Sequence, residues 1–516
     1  MPTKRNIAVL LFLFYACLIT YLVINTGIIS DDFQPIACLQ GARLEEVLIP
    51  KEISYFIETP LGYYTHYIWY RFFSIEHPAF ANAIKTLYII LAFYMSAMFF
   101  RLYLERKSAY LASFIFIFFP SHDATIYWFM GQYLTLSIAF YLYAFYLAHR
   151  GKYAAAFLSA LAASFISYGS TPIAAALFLL FLLGRRFKAA LMIAIPNIIY
   201  VLYFAALNFA THCGSDRLSS HLTAGSFIRQ YILQILTFFD AALGPSMWLK
   251  IWYALPQISN ASAVVAVLAL AVLWRTVGTT GGRIDKSLGA SLIVMLFLAF
   301  GMFAVSGRYP QTAFNLGNRV TIYGSLLIAY LIIAIPMPKV VRAAIIVVMI
   351  LSAFGISDHW KAWGAHQDAV VDTIRQNRDL NNSSDKRVIY VSGNQYSRYG
   401  PFSHIEFFSE GFVVAFVFKY ATGEWLPVDT INRRFRYIDG WLVDTKYGHK
   451  AKVDGYINVY DSEKNAFFKV EAEEINSYIE KLSPDNRHWS QIIKSKYIKD
   501  AILHLMPRLE YAFGTH

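Results

Sequence analysis

The chain has 516 residues, of which 57% are hydrophobic and 15% are charged, against roughly 45–50% and 25% in soluble domains. This balance excludes an ordinary soluble enzyme and predicts a polytopic α-helical membrane protein. The formal net charge of +12 lies wholly in residues 1–357, because residues 358–516 carry 21 basic and 21 acidic side chains. Charge placed in this way indicates membrane topology and lipid head groups, and it argues against a nucleic-acid partner.

The first apolar segment, residues 6–29, carries no charge and is long enough to cross a bilayer, which takes about 20 residues. It is too long for a typical signal-peptide core, so an uncleaved first helix is predicted. Asp31 and Asp32 follow directly. Two carboxylates at the point where a helix leaves lipid can take a proton from a hydroxyl or hold a cation. A solvated loop start would have the same composition.

A long first outer loop is predicted for residues 31–82. Its amphipathic stretches fit short helices on the membrane surface, and it contains an aromatic block with Tyr64 and Trp69. Such aromatics are typical of the membrane interface, but sugars also stack on aromatic faces. The histidines of the predicted outer loops, among them His66 and His122, are expected to be solvated.

Eleven membrane crossings are predicted, with the N-terminus in the cytoplasm, because Lys and Arg cluster in alternate loops. Segment 226–257 is left at the outer surface as a hairpin or reentrant element, since one more crossing would invert every later loop. The predicted helices are roughly 6–29, 82–100, 109–120, 126–147, 153–168, 171–184, 189–210, 259–274, 287–306, 319–336 and 343–357.

The membrane domain is therefore predicted to span residues 1–357. An extracytoplasmic α+β domain, residues 358–516, follows it. Helices are expected over 358–380 and 492–505. Runs of β-branched and aromatic residues between turn residues predict strands at 388–392, 412–421, 435–443, 456–460 and 467–472.

Cationic residues are predicted on the outer face at Lys85, Arg217, Arg308 and Arg319. Lys85 and Arg319 lie just inside predicted helix ends, where ionisable groups are costly and suggest function, although each could instead snorkel to the interface. Arg suits phosphate because its planar fork donates two hydrogen bonds at once. The four residues are candidates for binding a donor phosphate.

A second group is predicted to contact a sugar or an acceptor. Each member has an ordinary structural interpretation as well, as an interfacial aromatic or a loop residue. No spacing of Cys and His indicates a metal site, and a divalent cation is compatible with the carboxylates but is not predicted. The members are Tyr64, Trp69, His122, Asp123 and Tyr309.

Cys38 and Cys213 both fall in predicted outer loops. That compartment is oxidising, so a disulfide between them could persist. The bridge would tie the loop that carries Asp31 and Asp32 to the outer loop that carries Arg217. The alternative is a pair of unpaired thiols.

These features resemble the GT-C superfamily of integral-membrane glycosyltransferases. The resemblance lies in the acidic pair at the start of the first outer loop, here Asp31 and Asp32, in the length of that loop, in the number of crossings and in the C-terminal outer domain. It implies an inverting glycosyltransferase that uses a polyprenyl-phosphate sugar on the outer face of a bacterial inner membrane. The implied acceptor is a cell-envelope glycan, lipid or protein, with Asp31 or Asp32 as the base and Arg308 or Arg319 on the donor phosphate.

Two other functions fit parts of the sequence. O-antigen polymerases and ligases also have many helices, but they rely on Arg and His in outer loops, so Asp31→Asn separates them from a transferase with an acidic base. A transporter or flippase of lipid-linked glycans would need internal pseudo-symmetry and charges at mid-bilayer. Neither feature is present in the sequence.

Overall fold

The computed structural model describes residues 4–39, 42–43, 45–46, 59–71, 78–211, 223–277, 284–307, 309–377, 380, 387–492 and 496–505. The chain divides into two compact units. The first contains Met1–Asn25, Arg43–Ala313 and Gly317–His359, and the second contains Thr26–Ala42, Phe314–Leu316 and Trp360–His516.

The helices of the first unit follow the apolar segments of the sequence. They are Lys4–Val23 (α1), Pro60–Tyr63 (α3), Pro78–Phe100 (α4), Arg106–Ile117 (α5), Ala124–Tyr127 (α6), Phe129–His149 (α7), Tyr153–Ile166 (α8), Thr171–Leu183 (α9), Phe187–Thr211 (α10), Ala224–Ala242 (α11), Pro245–Ala254 (α12), Asn260–Val277 (α13), Lys286–Ser306 (α14), Ile322–Ala334 (α15) and the start of Lys339–Gln376 (α16). Within this bundle α7 packs on α4 and α8, and α9 packs on α10 and α14.

Each of the eleven predicted apolar segments contains a helix. Within the described residues, six helical segments are long and apolar enough, by length and composition, to cross a membrane. The number of crossings and their orientation therefore stay predictions. The six are Ala79–Phe100, Phe187–Leu207, Ala224–Gln257, Lys286–Ser306, Leu316–Ala334 and Lys339–Gln376.

Segment 226–257 forms two helices, α11 and α12. They are separated at Gly244, with Pro245 as the first residue of α12. Proline is favoured at that position because its missing N–H would have no intrahelical partner there. The segment as a whole is one of the six candidate spans.

The second unit has an α+β core. Its strands and remaining helices are Phe33–Leu39 (α2), Ile389–Ser392 (β1), Tyr396–Tyr399 (β2), Phe402–Glu406 (β3), Gly411–Thr422 (α17), Val428–Thr430 (β4), Phe435–Ile438 (β5), Trp441–Asp444 (β6), Lys450–Lys452 (β7), Tyr456–Asp461 (β8), Ala466–Glu471 (β9), Ile475–Lys481 (α18) and Lys496–Leu505 (α19). The larger sheet has the strand order β4-β1-β8-β9, in which β1 pairs in parallel with β4 and β8 while β8 pairs antiparallel with β9.

One strand prediction is wrong. Residues 412–421 lie within helix α17, which buries Val413, Val414, Val417 and Phe418 on one side. That is the spacing of a helical face, and Gly423 ends the helix with a φ of 79°. A short apolar run does not distinguish a buried strand from a buried helix by periodicity. The other predicted strands correspond to observed ones, with 435–443 divided into β5 and β6 by a turn.

Candidate active site

The acidic pair lies in a tight turn of the second unit. Helix α1 ends at Val23, and Ser30–Asp32 form a 3-10 turn that leads into α2. Ser30 has a φ of 50°, a left-handed conformation that a non-glycine residue adopts only at a cost. The turn therefore holds its two carboxylates in a defined place.

The two carboxylates have different surroundings. Asp32 is fully buried, and its Oδ2 accepts a hydrogen bond from the Ile29 N–H at 3.2 Å. Asp31 is half-buried, and the Ser30 hydroxyl donates to its Oδ1 at 3.2 Å. Asp31 is therefore partly exposed, while Asp32 is buried.

The segment before the pair packs closely on α16. A Cβ atom built on Gly27 would lie 2.9 Å from Gly364 Cα, and Gly27 has a φ of 73°. After the pair, Phe33 enters a core that includes Val371 and Phe407. The acidic turn is thus fixed to the second unit on both sides.

Gly27→Ala is expected to lower the free energy of unfolding more than Gly448→Ala. Both positions have a similar left-handed φ, 73° and 74°, but nothing lies within 4 Å of a Cβ at Gly448. The left-handed strain is therefore common to both, about 1–2 kcal/mol, while overpacking against Gly364 adds about 1–3 kcal/mol for Gly27 alone. Thermal unfolding in detergent measures the difference. Equal losses in the two variants would contradict a close approach at Gly364.

Two of the predicted phosphate ligands are described, and both belong to the first unit. Lys85 is 1% exposed, and its carbonyl oxygen accepts from Gln132 Nε2 at 3.3 Å. The guanidinium carbon of Arg319 lies 5.1 Å from the Trp128 ring centroid and 5.6 Å from that of Tyr309. Contact with aromatic faces favours a fixed cation. Arg319 as a whole is half-buried.

Asp123 takes part in a buried ion pair of the first unit. Lys250 Nζ donates to Asp123 Oδ1 at 2.7 Å and to the Ala313 carbonyl oxygen at 2.6 Å. Asn318 Nδ2 also donates to Asp123 Oδ1, and Asn318 Oδ1 accepts from the Ala124 N–H at 3.2 Å. The two charged side chains are 0% and 2% exposed. These contacts join the start of α6, α12 and the loop that leads to Arg319, while a contact between Asp123 and a sugar stays a prediction.

The expectation that His66 and His122 are solvated is wrong, since both are buried. His122 Nδ1 is 2.8 Å from the Thr125 hydroxyl, and its Nε2 is 2.9 Å from the Phe116 carbonyl oxygen. His66 packs 4.5 Å from the Phe129 ring, and burial lowers its pKa to about 3. His66 is therefore a neutral imidazole, because loss of water disfavours the charged form.

The predicted aromatic contacts all lie in the first unit. Tyr64 packs edge-on against Tyr63, in the π-helical turn Tyr64–Ile68, and Trp69 directly follows that turn. Tyr309 packs against Arg319, and its carbonyl oxygen accepts from Gln234 Nε2 at 2.8 Å. Their contact with a sugar stays a prediction.

Three of the predicted residues lie outside the described residues, namely Arg217, Arg308 and Cys213. Cys38 lies in α2 and is exposed. The predicted disulfide therefore stays a prediction. Among the described residues, no group of three or more His, Cys, Asp and Glu side chains is arranged to hold a metal ion.

The described residues provide two chemical functions. The turn at Asp31 supplies a carboxylate that can accept a proton, and Lys85 and Arg319 supply positive charge. Asp31 and Asp32 belong to the second unit, and the cations to the first. Lys250 and Asn318 were not predicted as site residues, although Lys250 is the one charged residue in the otherwise uncharged helix α12.

Comparison with known proteins found no matching family model and no matching curated protein. Among solved structures, ArnT from Cupriavidus metallidurans, crystallised bound to undecaprenyl phosphate, is similar with a TM-score of 0.43 and 11% sequence identity. The likeness covers 82% of this chain and 86% of that chain. A TM-score this low does not establish a common fold, so the resemblance to the GT-C superfamily depends on the residues of this chain.

Proposed function

We propose that this chain is a membrane-embedded glycosyltransferase. It moves a sugar from a polyprenyl-phosphate donor to a cell-envelope glycan, lipid or protein acceptor on the outer face of a bacterial inner membrane. The observation that carries the proposal is the turn after the first apolar helix, in which Asp32 is buried and Asp31 is half-buried. A general base needs such a fixed carboxylate within reach of the acceptor.

Asp31 is the base in this proposal. It accepts the proton of an acceptor hydroxyl as the hydroxyl oxygen forms a bond to the anomeric carbon of the sugar. The bond between that carbon and the phosphate oxygen breaks, and polyprenyl phosphate leaves with the bonding electrons. Attack from the side opposite the phosphate inverts the configuration at the anomeric carbon. Asp32 orients the turn through its bond to the Ile29 N–H.

Lys85 and Arg319 bind the donor phosphate in this proposal. Their positive charge offsets the charge that develops on the phosphate as the sugar departs. The rings of Trp128 and Tyr309 already restrain the guanidinium of Arg319. The Arg319 side chain therefore loses little conformational freedom when it binds the phosphate. A polyprenyl-phosphate head group lies at the interface, the depth at which these residues are predicted.

The proposal is tested with the purified full chain in nanodiscs and a panel of polyprenyl-phosphate hexoses and pentoses. Lipid extracts of a bacterial envelope serve as the source of acceptors. Release of polyprenyl phosphate that depends on both protein and extract is the expected result. No release from any donor in the panel, with a correctly folded protein, would overturn the proposal.

Arg319→Ala is expected to raise the apparent KM for the lipid donor by at least about 10-fold, because a charge-assisted bond is worth about 1.5–3 kcal/mol. Arg319→Lys should restore only part of this loss, since the bidentate geometry is absent. Arg150→Ala is the matched control, because Arg150 is exposed and lies 5.5 Å from the Tyr146 ring. A donor KM that is unchanged in Arg319→Ala would remove Arg319 from the phosphate site.

A further inference from the structure

Helix α16 carries a buried side-chain amide that the proposed mechanism does not use. Gln367 is 0% exposed, and neither its Nε2 nor its Oε1 has a hydrogen-bond partner among the described residues. Burying a donor and an acceptor without partners loses their hydration and gains nothing in exchange. An apolar side chain of similar volume would avoid that loss, so the amide at this position suggests a function.

Gln367 lies on the face of α16 that meets the acidic segment. Gly364 and Val371, three residues before it and four residues after it, share this face because residues at those spacings are neighbours on a helix. Gly364 is the residue in close approach to Thr26 and Gly27. Val371 is in the same core cluster as Phe33.

The acidic turn therefore connects two contacts with the face of α16 that carries Gln367. The chain passes Gly364 at Gly27 and reaches the core around Val371 at Phe33. Along the chain, Ser30–Asp32 lie between Gly27 and Phe33. Gln367 likewise lies between Gly364 and Val371 along α16. All of these residues belong to the second unit.

A second donor is present one turn earlier on α16. The indole Nε1 of Trp363 is buried and has no hydrogen-bond partner among the described residues, and the Trp363 ring stacks 4.9 Å from the ring of His366. Trp363 also packs against the core cluster that contains Phe33. An indole and an amide one turn apart on α16 combine an aromatic face with groups that bind hydroxyls.

We propose that Gln367 is a binding residue for the hydroxyl groups of the carbohydrate that reacts at Asp31. Its amide donates from Nε2 to one hydroxyl oxygen and accepts at Oε1 from a neighbouring hydroxyl, which matches the alternating donors and acceptors of a sugar. The inference rests on the proposed function, because Asp31 is the base there. It adds the class of group that is recognised beside the base.

The test compares Gln367→Met with the full-length wild type in nanodiscs. Met has a similar volume and no polar amide, so the thermal midpoint should stay the same or rise. The rate of sugar transfer at a subsaturating acceptor concentration should fall by at least about 10-fold. The reason is that losing the hydrogen bonds to the hydroxyl groups weakens the affinity for the carbohydrate by about 10-fold or more. Gln376→Met is the matched control, because Gln376 is exposed at the end of the same helix.

A rise in the thermal midpoint with unchanged transfer would overturn the inference and leave the proposed function intact. If the wild type itself transfers no sugar, the proposed function fails and a second measurement decides the inference. Thermal shifts are then recorded with a panel of methyl glycosides. A shift in the wild type that is lost in Gln367→Met supports the inference, and the same shift, or none, in both proteins overturns it.

Discussion

Asp31→Asn is expected to lower the rate of sugar transfer by at least about 100-fold, the contribution typical of a general base. Asparagine has nearly the volume of aspartate and keeps one acceptor oxygen for the Ser30 hydroxyl, so the turn should fold. Asp32→Asn should also abolish transfer, because the buried carboxylate orients the turn. The measurement is the release of polyprenyl phosphate at saturating donor, together with the thermal midpoint of each variant.

Asp454→Asn is the matched control for these variants. Asp454 is an acidic residue of the same unit. Its side chain is 76% exposed, and its carboxylate lies 3.6 Å from the Lys452 ammonium. Its loss should leave transfer unchanged, since exposed ion pairs contribute about 0–1 kcal/mol to stability. Full activity in both Asp31→Asn and Asp32→Asn would refute the catalytic role of the pair.

Lys250→Met is expected to destabilise the protein by about 3–5 kcal/mol, because it leaves the buried carboxylate of Asp123 without its cation. The pair is 2.7 Å apart and almost fully buried, so water cannot replace the lost partner. Unfolding in detergent, followed by heat or denaturant, measures the loss. A large fall in the amount of folded protein recovered from membranes should accompany it.

The double variant Asp123→Asn with Lys250→Met is expected to recover most of this stability. The asparagine is neutral and its Oδ1 can still accept from Asn318 Nδ2, so no uncompensated charge stays buried. Lys452→Met is the control, because its ion pair is exposed and should matter little. If Lys250→Met proves no more harmful than Lys452→Met, the buried pair does not hold these loops together.

The sequence predicted the helices of the first unit well. Hydrophobic segments bounded by charges are local features, and a helix is what satisfies the backbone within them. Each of the eleven predicted segments contains a helix, and the separation of α11 from α12 falls at Gly244 and Pro245, which the sequence displays directly. The error at 412–421 arose where the apolar run was too short for periodicity to decide.

The candidate site was predicted only in part. Asp31 and Asp32 stand out in the sequence because two charges interrupt an apolar run. The difference in burial between the two carboxylates cannot be seen in the sequence, since it depends on the fold of the turn around Ser30. Lys250 appeared to belong to an outer surface segment, but its partner Asp123 is 127 residues away in the chain. A local pattern contains no information about such a pair.

The sequence alone predicted the membrane class of the chain, the positions of the apolar helices and the acidic pair that follows the first one. These follow from composition and from spacing along the chain, which hydropathy reports directly. The tertiary structure decided that Thr26–Ala42 belongs with the second unit, that Gly27 meets Gly364 and that Phe33 shares a core cluster with Val371 of the same helix. Those relations join residues more than 300 positions apart, and close packing between distant segments, not local preference, brings them together.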